Sequence, residues 1–489
     1  MGISPCRDSC LINRMGRARA CQAVVDLDIN HINHVLVIFC LTLSNFLPSG
    51  RAVNCATVVQ SWSSLELTPV GASGKTHYKH KTKVIGDHRA WCDGDMPGTF
   101  PVRRCGPGMS RNSRSLGESQ MKPRVMKALS LLLALALAGC APEAPIRIGL
   151  LAGLSDRGSD FGESVRNGVI LAIEQQNQAG GIHGRMIELI VRDDGQDAEQ
   201  AVKAAQELIA LKPELVIGPV TSSMATVVLP VLDAAGMLTI SPTVASPAFY
   251  GKDDHFFRVN RTTHEAARHH AKVLFDRQAR RVALAFDASN APYSDTWVSE
   301  FTRTFEQLGG KVSATSGFDS TASPSFGDVL KPLLARQPDA LLFVASSLDT
   351  ARLCQQARRL APELPLSSTE WAASGELLTE MGGSAVDGLL IAHAYNRDDQ
   401  GAPYLAFRSA FKARFQREFG SFSLLAYDTA NVVIEAMIRR NDSESMKSAL
   451  LKYGPYAGVQ QSIRFDANGD AERQVFFTEI RGGRFIQIP

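Results

Sequence analysis

Residues 215–242 read LVIGPVTSSMATVVLPVLDAAGMLTISP. Leu215 to Gly218 is an apolar run of strand length. Met224 to Ala235 is helical, and Leu238 to Ser241 is a second strand. Two short strands joined by a helix form a parallel pair with a crossover, because a tight hairpin can join only antiparallel neighbours.

The same unit repeats in both directions. Upstream, Ile146 to Leu151 reads as a first strand and Phe161 to Gln178 as a helix. Val165, Val169, Ala172 and Ile173 keep one apolar face of that helix, and Gly180-Gly181 stops it. Ile187 to Val191 is a strand. Ala198 to Leu211 is a helix, with Asp197 placed to cap it and Gln200 three residues on. The pattern restarts after about residue 262. Helices are expected at His264–Asp276, Asp295–Leu308, Phe326–Ala335 and Thr350–Leu360. Strands are expected at Arg281–Phe286, Lys311–Ser316, Ala340–Ala345 and Gly388–Ala392. Continuous alternation predicts the α/β class: parallel sheets covered on both faces, arranged as two doubly wound, Rossmann-like lobes.

Bulk properties divide the chain elsewhere. Its 489 residues suffice for two or three domains, and 45% hydrophobic with 21% charged residues is a soluble globular composition. Residues 1–140 carry 17 Lys and Arg against 8 Asp and Glu, whereas residues 141–489 carry 35 against 41. An acidic body argues against a nucleic-acid partner, which needs a basic stripe. Seven of nine cysteines precede residue 121, and past Cys140 only Cys354 remains, so the body has no internal disulfide. Cys6 and Cys10 have no second pair at ligand spacing, so no metal is expected.

Residues 121–140, MKPRVMKALSLLLALALAGC, have a secretory signal layout. Lys122, Arg124 and Lys127 precede a short apolar run ending in Leu-Ala-Gly-Cys140. That run is too short to span a bilayer. The ending resembles a bacterial lipobox, which implies lipidation of Cys140 and a periplasmic or envelope location through a lipid anchor. Ala141 is not the Asp that favours inner-membrane retention. Because a signal works only at an N-terminus, Met121 is expected to be the true start. Residues 1–120 are then expected to be disordered upstream mistranslation. Peptides from residues 1–110 in the native protein would refute this.

No P-loop, dinucleotide fingerprint, nucleophile elbow or His-Glu-x-x-His motif is present, so no enzyme, catalytic residue or cofactor is expected. The His269-His270 doublet is expected to face solvent, and Asp193-Asp194 either to hold a cation or simply to end a strand before a capped helix. Three junctions at carboxyl ends of strands carry polar chemistry, where α/β sheets bind ligands. Thr221-Ser222-Ser223 enters a helix and suits a carboxylate or phosphate, or simply caps the helix through Ser222 or Ser223. Ser241-Pro242-Thr243-Val244-Ala245-Ser246-Pro247 leaves a strand as a rigid loop. Glu370 follows Leu366-Ser-Ser-Thr, where its carboxylate can pair with an ammonium group or lie on an ordinary surface.

Further segments occur in a familiar order: Phe161-Gly…Asn167-Gly168, Ala179-Gly-Gly-Ile-x-Gly184, Asp193-Asp194, Val216-Ile-Gly-Pro219, Ile240-Ser-Pro242 and Phe256-Phe-Arg258. Together they resemble the leucine/isoleucine/valine-binding proteins of ABC importers, over roughly Ile146 to Ile488. The resemblance implies the type I periplasmic binding fold, with three chain crossings as a hinge near 262, 392 and 458. Lobe one would be 145–261 plus 393–457, and lobe two 262–392 plus 458–489. It implies a branched-chain or similar amino acid bound between closing lobes and ABC permease subunits as partners. The carboxylate pocket falls on Thr221, Ser222 and Ser223, and the proline-rich loop contacts on Thr243 and Ala245. The closing aromatic falls on Tyr293, the ammonium partner on Glu370, and the aromatic after strand one on Phe161. Trp371 beside Glu370 would shape the side-chain pocket. Ala245 lacks a hydroxyl common in the family. This leaves open an amide, urea or small carboxylate as ligand, sensed rather than transported.

Overall fold

The structure, a computed structural model, describes residues 143–155 and 159–488. The expectations for residues 1–120, for the segment 121–140 and for Cys140 lie outside the described residues.

The chain builds strand β1 (Ile146–Ala152), helix α1 (Ser159–Gln178), β2 (Ile187–Asp193), α2 (Ala198–Leu211), β3 (Leu215–Ile217), α3 (Ser222–Ala234), β4 (Thr239–Ser241) and β5 (Phe256–Arg258). These five strands form one parallel sheet in the order β2-β1-β3-β4-β5. A second run follows: α4 (Thr263–Asp276), β6 (Arg281–Asp287), α5 (Ala291–Gln307), β7 (Lys311–Phe318), α6 (Phe326–Leu334), β8 (Ala340–Val344), α7 (Ser347–Leu360), β9 (Leu366–Ser368), α8 (Leu377–Gly382) and β10 (Leu390–His393). Helices α9 (Ala402–Phe415), α10 (Ser421–Arg439) and α11 (Met446–Lys452) come next, then the short pair β11 (Tyr456–Ala457) and β12 (Ser462–Ile463). β13 (Phe476–Arg481) and β14 (Arg484–Gln487) close the chain, and the second sheet runs β14-β13-β10-β9-β8-β6-β7.

Both sheets are buried on both faces, which is why their strands read as unbroken apolar runs. In β1, Ile148, Leu150 and Ala152 point into the cluster that holds Val165, Val169 and Ala426. Leu151 points the other way, among Ala201, Leu208, Val216 and Val228. In β8, Leu342 and Val344 take one side, and Leu341 and Phe343 the other. Each fully buried side chain of this size contributes about 1.5–3 kcal/mol relative to an exposed one. Helix α10 lies along α1 so closely that a Cβ at Gly168 would stand 2.2 Å from the Ser423 carbonyl oxygen, so only glycine fits there.

Several boundaries differ from the sequence expectation. Helix α5 starts at Ala291 rather than Asp295, because Pro292 sits in the first turn, where no amide is needed. Helix α3 starts at Ser222, with Thr221 as its cap. The hairpin β13–β14 departs from the all-parallel expectation. It joins β10 antiparallel and turns through Gly482-Gly483, both with positive φ. The histidine doublet splits. His269 is exposed, but His270 is buried and its Nε2 lies 2.6 Å from Ser367 Oγ. Burial pulls the His270 pKa down to about 3, so it is neutral core. Cys354 is fully buried, and burial pushes its thiol up to about 12.

Three chain crossings link the two sheets: after β5, after β10, and between α11 and β13. The first and third are tied by buried ion pairs. Arg258 donates from Nε to Asp470 Oδ1 at 2.7 Å and also to the Ser246 carbonyl. Arg473 donates to Asp428 Oδ2 at 2.8 Å and to the Val259 carbonyl. Backbone bonds from Arg258 N to Gly469 O and from Ala471 N to Arg258 O complete the tie. Gln461 reaches the second crossing at the Ala394 carbonyl.

Candidate functional site

Each sheet ends at the same cleft. Phe161, Val220, Thr221, Ser222, Thr243, Asn260 and Phe422 line one side, and Asn290, Tyr293, Glu370 and Trp371 the other. These residues follow the carboxyl ends of β1, β3, β4, β5, β6 and β9, except Phe422, which opens α10. Of the nine ligand residues expected from sequence, seven line the cleft. Ala245 and Ser223 do not. Ala245 is buried in the core with its carbonyl accepting from Thr263 N. Ser223 Oγ lies 3.2 Å from Thr221 Oγ1, and its amide donates to Asn290 Oδ1 at 3.0 Å. The sequence pattern assigns no role to Val220, Asn260, Asn290 or Phe422. Asn290 carries a signal, since it stands three residues before Tyr293 at a strand end.

The polar end on the first side is the start of α3. Thr221 Oγ1 caps Met224 N at 3.4 Å and donates to Gln196 Oε1 at 3.1 Å. Ser222 is 2% exposed, and its Oγ accepts from Ser246 N at 3.3 Å, which leaves its own proton to donate. First-turn amides and the helix dipole make this end attractive to an anion. Asn290 Oδ1, an oxygen from the opposite side, already occupies one of those amides. Thr243 braces the loop by donating from Oγ1 to the Val220 carbonyl at 2.6 Å, and Asn260 donates to the Thr243 carbonyl at 3.1 Å.

Behind this end lies a buried acid. Asp194 has no exposed surface. Its Oδ1 accepts from Gln196 N and Nε2, and its Oδ2 has no partner. Burial pushes its pKa up to about 6, with neighbouring Asp193 adding to the rise. Asp193 itself stays below its ordinary value: burial works against ionisation, but hydrogen bonds from the Leu154 and Gly195 amides outweigh it.

The second side carries the opposite charge. Tyr293 donates its hydroxyl to Glu370 Oε1 at 3.2 Å. Burial and the Glu370 charge hold the Tyr293 pKa well above its usual value, so it remains a donor. Glu370 Oε2 is buried and has no partner. Trp371 packs edge-on to Tyr293 with ring centroids 5.5 Å apart, and Phe161 packs edge-on to Phe422 at 4.1 Å. The space between these side chains is about 20 Å³, enough for one water, and it is partly open to solvent. The two sides also meet beside this space. Ser374 Oγ donates to Asp160 Oδ2 at 2.7 Å, Ser164 Oγ to the Ser374 carbonyl at 2.9 Å, and Ser421 N to the Ala373 carbonyl. Among the described residues no cluster of His, Cys, Asp and Glu is arranged to hold a metal, and no helix is long and apolar enough to cross a membrane.

A family model described as periplasmic binding protein matches residues 145–484. The leucine-, isoleucine-, valine-, threonine- and alanine-binding protein of Pseudomonas aeruginosa is 25% identical over 359 residues, covering 72% of this chain and 94% of that protein. The fold is shared with the branched-chain amino acid substrate-binding protein LivJ of Streptococcus pneumoniae, solved with isoleucine. That comparison has a TM-score of 0.65 and 21% identity over 70% of this chain and 99% of that one. A solute-binding protein of R. palustris, solved with benzoate, gives 0.64 and 19% identity, covering 70% and 95%.

Proposed function

We propose, on the premise that this chain belongs to the periplasmic binding protein family, that it is the substrate-binding lipoprotein of an ABC importer and closes around an amino acid, branched-chain or similar. The family consists of extracytoplasmic binding proteins, not enzymes. Lobe one comprises residues 145–261 and 393–457, lobe two 262–392 and 458–489. They close as rigid bodies about the three crossings. Cys140 carries the lipid anchor, and ABC permease subunits receive the closed form.

One observation carries the choice of ligand: Glu370 Oε2 is buried without a partner, opposite the start of α3. A buried carboxylate oxygen without a donor is costly, and so is a buried zwitterion without partners for both charges. Each answers the other. The α-carboxylate takes the Ser222 hydroxyl and first-turn amides, displacing Asn290 Oδ1, and the ammonium takes Glu370. Because the two partners come from different lobes, the ligand binds the closed state better than the open one. Phe161, Trp371, Tyr293 and Phe422 enclose the side chain. Ser223 presents its amide rather than its hydroxyl, and Ala245 packs in the core away from the ligand.

A second reading keeps the clamp but makes the ligand an amide, urea or small carboxylate that is sensed rather than transported. The Ser222 hydroxyl and the first-turn amides of α3 suffice for the oxygen end of such a ligand. Thermal unfolding against amino acids, amides and carboxylates separates the two. A ligand at a hundred times its Kd raises stability by about 2.7 kcal/mol. A shift with leucine, isoleucine or valine supports the importer reading. A shift with amides or carboxylates alone removes it.

A further inference from the structure

Asn290 stands at the cap position of α5, where an asparagine side chain ordinarily accepts from the amides of its own helix. Here it makes no such bond. It is buried, it lines the cleft, and its Oδ1 accepts from Ser223 N of α3 at 3.0 Å. The side chain thus caps a helix on the other side of the cleft instead of its own. Helix α3 already has Thr221 as its own cap, and that residue's Oγ1 accepts from Met224 N. The Ser223 amide is left for an oxygen from outside the helix, and Asn290 supplies one.

The same amide belongs to the end that takes the ligand's carboxylate in the amino-acid reading above, on which this inference rests. We propose that Asn290 is an internal competitor of the ligand: its carboxamide oxygen stands in for a carboxylate oxygen at the α3 N-terminus, and a ligand that grips that end must displace it. The competition sets a threshold. A neutral carbonyl oxygen exchanges one ordinary hydrogen bond for another and gains nothing at this amide. A carboxylate forms a charge-assisted bond about twice as strong as the one it replaces. Asn290 is in this sense a specificity-determining residue that acts by being displaced, at the expense of some affinity for every ligand that uses the Ser223 amide.

Calorimetric titration of L-leucine into the wild-type protein, Asn290→Ala and Asn290→Asp tests this. A side chain that stays on Ser223 N in the bound complex and one that leaves it predict opposite signs. Asn290→Ala removes the competitor, so leucine is expected to bind about fivefold more tightly. Asn290→Asp puts a charged oxygen at the same amide and opposes the ligand's own charge, so leucine is expected to bind at least about tenfold more weakly. Wild-type binding of leucine that is unchanged or weakened in Asn290→Ala overturns the competitor and leaves the importer reading standing. So does an Asn290→Asp variant that binds leucine as the wild type does, and this nearly isosteric change decides alone should Asn290→Ala fail to fold. If leucine binds to none of the three proteins, the amino-acid reading itself falls, and the competitor with it.

Discussion

Replacing Asp194 by Asn changes the pH dependence of stability in a direction the structure dictates. The carboxyl is fully buried, and only one of its oxygens is bonded. Its folded pKa is about 6 against an ordinary 3.8. For an acid whose folded pKa is raised, the native state holds a proton that the unfolded state has lost. Stability is therefore fullest below about pH 4, falls as pH rises through 4 to 6, and stays lower above that. Each tenfold change in acidity is worth about 1.36 kcal/mol, so this rise amounts to about 3 kcal/mol. Asn keeps the oxygen that accepts from Gln196 but puts an amide where Oδ2 lacks a partner, which costs about 1 kcal/mol. A net gain of about 2 kcal/mol is expected at pH 7.5, shrinking to zero or a small loss at pH 4. Urea unfolding of both proteins at the two pH values measures it. Parallel curves, with the same difference at pH 4 and 7.5, would refute the assignment of a proton to Asp194. The outcome also bears on the cleft, since Gln196 links Asp194 to the Thr221 cap.

Further expectations concern the clamp. Glu370→Gln removes the charge facing the ammonium, and leucine affinity measured by calorimetry should fall about 100-fold, or roughly 3 kcal/mol; an unchanged affinity would free Glu370 of its role. Asn290→Ala breaks the bond to Ser223 N across the cleft. It should shift unliganded scattering profiles toward a more open form through a loss of about 1 kcal/mol, and an unchanged radius of gyration would count against this contact as a latch. Gly168→Ala places a methyl against the α10 backbone and should cost about 1–3 kcal/mol in denaturant unfolding; a neutral result would mean α1 and α10 are not so closely packed.

The alternation of strands and helices is legible in the sequence because parallel strands buried on both faces leave long apolar runs, as in β1 and β8. The hairpin β13–β14 is not, because antiparallel closure depends on pairing with β10, a contact distant in sequence. Its one local signal is Gly482-Gly483. Thr221, Ser222, Thr243, Tyr293 and Glu370 are legible as polar residues at strand ends. Asn260 is not, because it follows a three-residue strand that carries little periodicity. His270 reads as solvent-facing because a polar residue beside an exposed one looks so. Its burial depends on Ser367, nearly a hundred residues away.

One bound molecule should satisfy the α3 N-terminus and Glu370 together. Titration with leucine, with 4-methylpentanoate lacking the ammonium, and with 3-methylbutylamine lacking the carboxylate tests this pairing. Leucine should bind, and each truncated analogue should bind at least about 100-fold more weakly, since each leaves one buried charge unpaired. An analogue that binds as tightly as leucine would overturn the pairing, because one of the two charged ends would then contribute nothing.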